Sequence, residues 1–88
     1  MAYFVYVIRS IGGGSYYIGQ TSDLIDRLQR HNSGMESATA RYAPWLLVWH
    51  TEKPTRSEAV RLEAKLKNLS RERLEGFMRK YGGGHGGS

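Results

Sequence analysis

Apolar positions along this chain follow two rhythms, and the change from one to the other divides it into elements. Tyr3 to Ile8 reads YFVYVI, an unbroken run of β-branched and aromatic residues that suits a strand better than a helix. The glycines Gly12 to Gly14 interrupt it, and Tyr16, Tyr17 and Ile18 resume the same composition, so the two runs predict a β-hairpin. A third apolar run, Trp45 to Trp49, follows Pro44 and predicts a third, largely buried strand.

Between and after the strands the spacing turns helical. Thr21-Ser22-Asp23 offers N-caps, Asp26 adds a carboxylate to the first turn and Gly34 can close the helix in a left-handed conformation, predicting a helix over about Leu24 to Asn32. The stretch from there to Pro44 is rich in Ser, Thr and Ala and reads as a polar loop. Thr55-Arg56-Ser57-Glu58 has the form of a capping box, and Ala59, Leu62, Leu66 and Leu69 then make one apolar stripe. Ser70 is placed to cap a further helix running to about Tyr81. The resulting order is β-β-α-β-α-α, an α+β fold with a three-stranded, largely antiparallel sheet flanked by helices. Residues 1–81 are expected to form one domain, with 82–88 a flexible Gly-rich tail.

Composition narrows the setting. With 88 residues the chain can bury one core, and with no cysteine it has neither disulfides nor thiolate metal sites to support it. A reducing compartment fits, and the cytoplasm is expected because no basic-then-apolar leader and no apolar run near roughly 18 residues is present. No membrane partner is expected. Thirteen Lys and Arg against eight Asp and Glu give a net charge of +5, which favours a polyanionic partner. Nine of those thirteen cations lie between Lys53 and Lys80.

Several side chains are candidates for chemistry, each with an ordinary alternative. Arg27 and His31 lie one turn apart beside the stripe of Leu24 and Leu28, and from spacing alone they read as an exposed helix edge. Arg30 points further from that stripe. Glu63 falls between the directions of Ala59 and Leu66: an inward carboxylate there needs a metal ion or basic neighbour, whereas an exposed one would simply pair with Lys67. Tyr6 and Tyr17, on paired strands, read singly as core aromatics.

Taken in order, these residues resemble a known set: a strand-one tyrosine, Tyr17-Ile18-Gly19, Arg27 and His31 on the next helix, then a carboxylate at Glu63. The pattern resembles the GIY-YIG nucleases from about Ala2 to Leu69, including Gln20-Thr21, Asp23-Leu24, His31-Asn32-Ser33-Gly34 and the run from Ser57 to Arg71. It looks particularly like the short, single-domain bacterial branch. The first motif departs from the family name, since Phe4-Val5-Tyr6 stands where Gly-Ile-Tyr would be.

The resemblance implies a metal-dependent endonuclease that hydrolyses phosphodiester bonds, with DNA the expected nucleic acid. Tyr6, Tyr17, Arg27, His31 and Glu63 would be catalytic, and Glu63 would hold one Mg²⁺ or Mn²⁺. One ion is expected because no second carboxylate has comparable support. Tyr6 would orient or deprotonate the attacking water, which calls for a phenol pKa lowered by nearby positive charge such as that of Arg27. Arg27 would bond the nonbridging phosphate oxygens, while Arg30, Arg61, Lys65, Lys67 and Arg71 would contact the backbone without reading bases. The alternative is a non-catalytic nucleic-acid-binding module on the same fold.

Overall fold

A computed structural model describes residues 2–12 and 14–82. Residues 83–88, nearly all of the expected tail, lie outside the described residues. The elements are β1 (Tyr3–Ser10), β2 (Tyr16–Thr21), α1 (Leu24–Ser33), α2 (Ser37–Ala40), β3 (Trp45–Lys53), α3 (Arg56–Lys67) and α4 (Arg71–Lys80). The fold is α+β, and the predicted order holds with one addition: the expected polar loop before Pro44 contains the four-residue helix α2. A single turn is too short to show helical periodicity, which is why the pattern of residues does not reveal it.

The sheet has the order β2-β1-β3, antiparallel throughout, so the first strand is the central one. Val5, Tyr6, Val7 and Ile8 are all 2% exposed or less, because both faces of β1 are covered. Strand geometry sends alternate side chains to opposite faces. Val5 and Val7 therefore join Ile18, Trp49, Ala59, Leu66 and Leu74 in the core beneath α3 and α4. Tyr6 and Ile8 join Trp45 on the other face, with Tyr17, Leu24, Leu28 and Ala43 packed against them.

The third strand is longer and less buried than its apolar composition predicts. It runs from Trp45 to Lys53, with only Trp45 and Trp49 buried, and Leu46 is 55% exposed. Its pairing with β1 shifts between Val7↔Trp49 and Ile8↔Leu47, leaving Val48 as an extra residue. This bulge reverses the alternation of faces. Trp45 and Trp49 would otherwise share a face; instead one indole fills each core.

The helix ends are set by local chemistry. Asp23 accepts a hydrogen bond from the Asp26 amide at the start of α1, and Gly34 closes the helix at φ 82°, a left-handed conformation suited to glycine. Thr55 accepts from the Glu58 amide, as a capping box requires, but the Glu58 carboxylate accepts from the Thr55 hydroxyl at 3.0 Å rather than from its backbone. Ser70 caps α4 through the Arg73 amide. Among the described residues no helix is long and apolar enough to cross a membrane.

Candidate active site

The site begins at one cross-strand pair. Tyr6 of β1 lies opposite Gly19 of β2, and a Cβ placed on Gly19 would fall 2.7 Å from Tyr6 Cζ. Only glycine leaves room for the phenol ring to lie across the neighbouring strand. The glycine of Tyr17-Ile18-Gly19 is thus explained by the tyrosine of the first strand.

Lying over β2 in this way, the Tyr6 hydroxyl reaches His31 of α1, with its oxygen 2.8 Å from Nε2. Tyr17 covers the same imidazole, its ring centroid 5.0 Å away, and packs in turn against Trp45 at 6.4 Å. The far nitrogen of His31, Nδ1, is 2.8 Å from the Thr39 hydroxyl oxygen. His31 is therefore fully buried, with 0% of its surface exposed, which overturns the exposed-edge reading drawn from helix spacing. The cause is tertiary: α2 carries Thr39 against the outer side of the ring while the hairpin tyrosines close the inner side. Arg27, one turn earlier, is partly buried, and Arg30 is exposed and ion-paired with Asp26 at 2.9 Å.

Burial dominates the electrostatics. The Tyr6 phenol is pushed well above its ordinary pKa of 10, first by desolvation and next by Tyr17, with Arg27 opposing and Glu36 and Glu63 adding to the rise. The lowered phenol pKa expected from Arg27 is thus not found: loss of water outweighs the guanidinium. His31 moves below its usual 6.5 through burial, with Glu36 raising it and Arg27 lowering it further. A neutral phenol is bonded to a neutral imidazole.

Glu63 lies between the two readings open to it. Its side chain is only 20% exposed, on the edge of the core, and Lys67 lies 3.0 Å from one carboxylate oxygen. Its charge acts on Tyr6 although α3 belongs to the opposite layer. A hard divalent ion suits such a carboxylate when water and substrate phosphate supply the remaining oxygens. Among the described residues no group of three His, Cys, Asp or Glu is placed to hold a metal by itself.

The proposed backbone cations are dispersed. Lys67 pairs with Glu63, Arg71 lies 3.5 Å from Glu75 and stacks over Tyr16, and Lys65 sits over the Phe77 ring. Arg61 is exposed on α3. Sequence reasoning missed Arg56, which lines a polar cleft with Arg27, Tyr3, Gln20, Thr21 and Ser22. It also missed Asn32, whose side chain bonds the backbone N–H and C=O of Trp45 and ties α1 to β3. Phe4, where the family name has glycine, packs edge-on to His50 with ring centroids 6.5 Å apart. Nothing in the spacing of these residues marks them, since each acts on a partner remote in sequence.

Comparison with known proteins finds relatives along most of the chain. The model of the GIY-YIG catalytic domain matches residues 2–78. A UPF0213 protein of Listeria monocytogenes is 38% identical over 77 residues, covering 86% of this chain and 85% of that protein. One from Halobacterium salinarum is 39% identical over 72 residues, covering 81% and 92%. The solution NMR structure of the UPF0213 protein BH0048 from Bacillus halodurans superposes with a TM-score of 0.62 at 34% identity, covering 94% of this chain and 88% of that one.

The Gly19–Tyr6 packing predicts that Gly19→Ala destabilises the fold by about 1–3 kcal/mol, the usual scale of overpacking. In a Tyr6→Ala background most of that cost should vanish, as a double-mutant cycle by urea denaturation would show. Equal costs in both backgrounds would mean that the ring is not what Gly19 accommodates.

A second expectation concerns pH. The folded-state pKa of His31 lies below its unfolded value of 6.5, so the unfolded chain binds more protons between the two. The stabilisation is present above 6.5 and is lost as pH falls towards the folded value. The pH slope of the unfolding free energy across this region should flatten in His31→Gln, and an unchanged slope would count against a buried neutral imidazole.

Proposed function

The chain belongs to the GIY-YIG family, and on that premise we propose that it is an endonuclease hydrolysing phosphodiester bonds in nucleic acid, DNA in the first instance. The observation that carries this reading is the buried 2.8 Å bond between Tyr6 and His31, set where the charges of Arg27 and Glu63 also act on the phenol. A buried phenol needs a partner for its hydroxyl whatever its role; what goes beyond that need is the company of Arg27 and Glu63, whose opposite charges both act on the same phenol.

Hydrolysis requires that an attacking water lose a proton while negative charge grows on phosphorus oxygens and on the leaving oxygen. A phenol with a raised pKa is useless as a base while it keeps its proton, and strongly basic once that proton departs. In our reading Tyr6 takes the proton of the water as its own proton passes to His31 Nε2. Moving the two together avoids a free phenolate. The imidazolium so formed is disfavoured by burial, but the growing charge on the phosphate offsets that penalty. Tyr17 holds the imidazole plane against Tyr6.

Arg27 is assigned to the nonbridging oxygens, for which its planar donors are suited. The cleft it shares with Arg56 then offers a second guanidinium to the flanking phosphate, and its polar walls suit a backbone better than a base. Glu63 would hold the divalent ion, Mg²⁺ or Mn²⁺, which when bound supplies positive charge for the leaving oxygen. The Lys67 ammonium on Glu63 is the one observation favouring the second reading, a non-catalytic nucleic-acid-binding module.

On this assignment Arg27→Ala lowers the cleavage rate by a hundredfold or more, on the scale of about 3 kcal/mol for one lost oxyanion donor, whereas Arg30→Ala has a far smaller effect. Equal losses would place the wrong arginine at the phosphate.

The deciding experiment compares wild type with Glu63→Gln on single-stranded, duplex and forked DNA and on RNA, each with Mg²⁺, Mn²⁺ or EDTA. Cutting should depend on the ion and collapse in Glu63→Gln, while metal-free affinity stays constant or rises slightly with the lost negative charge. Ion-dependent cutting retained by the mutant would remove Glu63 from the metal site. No cutting by wild type on any substrate would favour the binding module.

A further inference from the structure

The proton path assigned to Tyr6 runs in one direction only if His31 presents an unprotonated Nε2, and a neutral imidazole can carry its single proton on either nitrogen. The surroundings of Nδ1 decide between them. Thr39 is 1% exposed, and its hydroxyl oxygen lies between two groups, His31 Nδ1 at 2.8 Å and the Glu36 carbonyl oxygen at 3.3 Å. The carbonyl can only accept, so the Thr39 proton belongs on the Glu36 side and its lone pair faces Nδ1. The reverse arrangement would point the Thr39 proton at Nδ1 and leave two oxygens facing each other with no proton between them.

Thr39 is held in place from independent directions. Its amide donates to the Glu36 carbonyl at 3.0 Å, and its own carbonyl accepts from the Trp45 indole N–H at 2.9 Å. Trp45 is itself fixed, since its backbone is bonded by Asn32 from the end of α1. Its ring belongs to the core cluster of Tyr6 and Ile8. The hydroxyl therefore meets the imidazole in a set position.

We propose that Thr39 is a positioning residue that locks His31 in the Nδ1–H tautomer, so that Nε2 accepts the proton of Tyr6. The chain of donors runs from the Tyr6 hydroxyl to Nε2, from Nδ1–H to the Thr39 oxygen, and from the Thr39 hydroxyl to the Glu36 carbonyl. Every polar atom along it is paired, which buried groups require. What the tautomer is for rests on the nuclease reading; the tautomer itself does not.

The test is therefore made first without nucleic acid or metal. Histidine-selective ¹⁵N labelling and long-range ¹H–¹⁵N correlation at about pH 8, well above the ordinary ionisation of histidine, report which nitrogen of His31 is protonated. Wild type should show Nδ1–H, Thr39→Ser should keep it, and Thr39→Val should shift the population towards Nε2–H. A proton on Nε2 in wild type overturns the proposal whatever the variants do, so it does not depend on Thr39→Val folding. An unchanged tautomer in folded Thr39→Val overturns it as well. In cleavage assays Thr39→Val should lose roughly ten- to a hundredfold in kcat, the scale of losing an outer-shell partner of a functional histidine, with KM little changed and Thr39→Ser restoring most of the loss. A shifted tautomer with unchanged kcat would overturn the catalytic half. Failure of wild type to cut anything would strike the nuclease reading and leave the tautomer result standing.

Discussion

The rest of the structure depends on the burial of β1 on both faces. A central strand covered on each side must present apolar or fully bonded side chains to both layers, and Val5, Tyr6, Val7 and Ile8 do so. The valines anchor α3 and α4, and Tyr6 and Ile8 anchor the layer of α1 and α2. Because Tyr6 is one of these core residues, its hydroxyl has to be satisfied inside the protein, and His31 is the group that satisfies it. Core and site are the same object on this face of the sheet.

That overlap explains the electrostatic character of the site. Removing water from a phenol and an imidazole favours the neutral form of each, so the protein at rest stores no charge on this pair. The charged residues, Arg27 and Glu63, stand at the margin, where they still reach solvent. In the proposed mechanism this neutral, buried pair is a proton path on which charge develops only when substrate arrives. The same low dielectric makes the path sensitive to any unpaired atom, which gives the small helix α2 its importance.

The dispersal of the basic residues bears on recognition. Of the cations on α1, α3 and α4 that composition singles out, Arg30, Lys67 and Arg71 already have carboxylate partners. Such surface pairs are weak and can exchange for phosphate at little cost, so they suit general electrostatic attraction. Arg27 and Arg56 differ in sharing one polar cleft beside the proposed chemistry. In the proposed function net charge would attract the partner, whereas the placement of these two guanidiniums would select where its backbone lies.

Residues that act on near neighbours were legible in the sequence. The hairpin of Tyr3–Ser10 and Tyr16–Thr21, the caps at Asp23, Thr55 and Ser70, and the stripe of Ala59, Leu62, Leu66 and Leu69 follow from local propensity and periodicity, which act over a few residues. The ordered set of Tyr6, Tyr17, Arg27, His31 and Glu63 could be picked out only as a family pattern. The individual spacings of Tyr6, Tyr17, Arg27 and His31 argued for ordinary roles, and for His31 they argued wrongly, whereas that of Glu63 left an inward carboxylate open. What the tertiary structure decided are relations between segments far apart in the chain. The extra residue at Val48 sends Trp45 and Trp49 to opposite cores, Gly19 clears space for a ring on another strand, and Thr39 reaches a histidine from a helix too short to announce itself. Periodicity records which face of its own element a residue occupies; which atoms meet across that face depends on register and packing, and these exist only once the chain has folded.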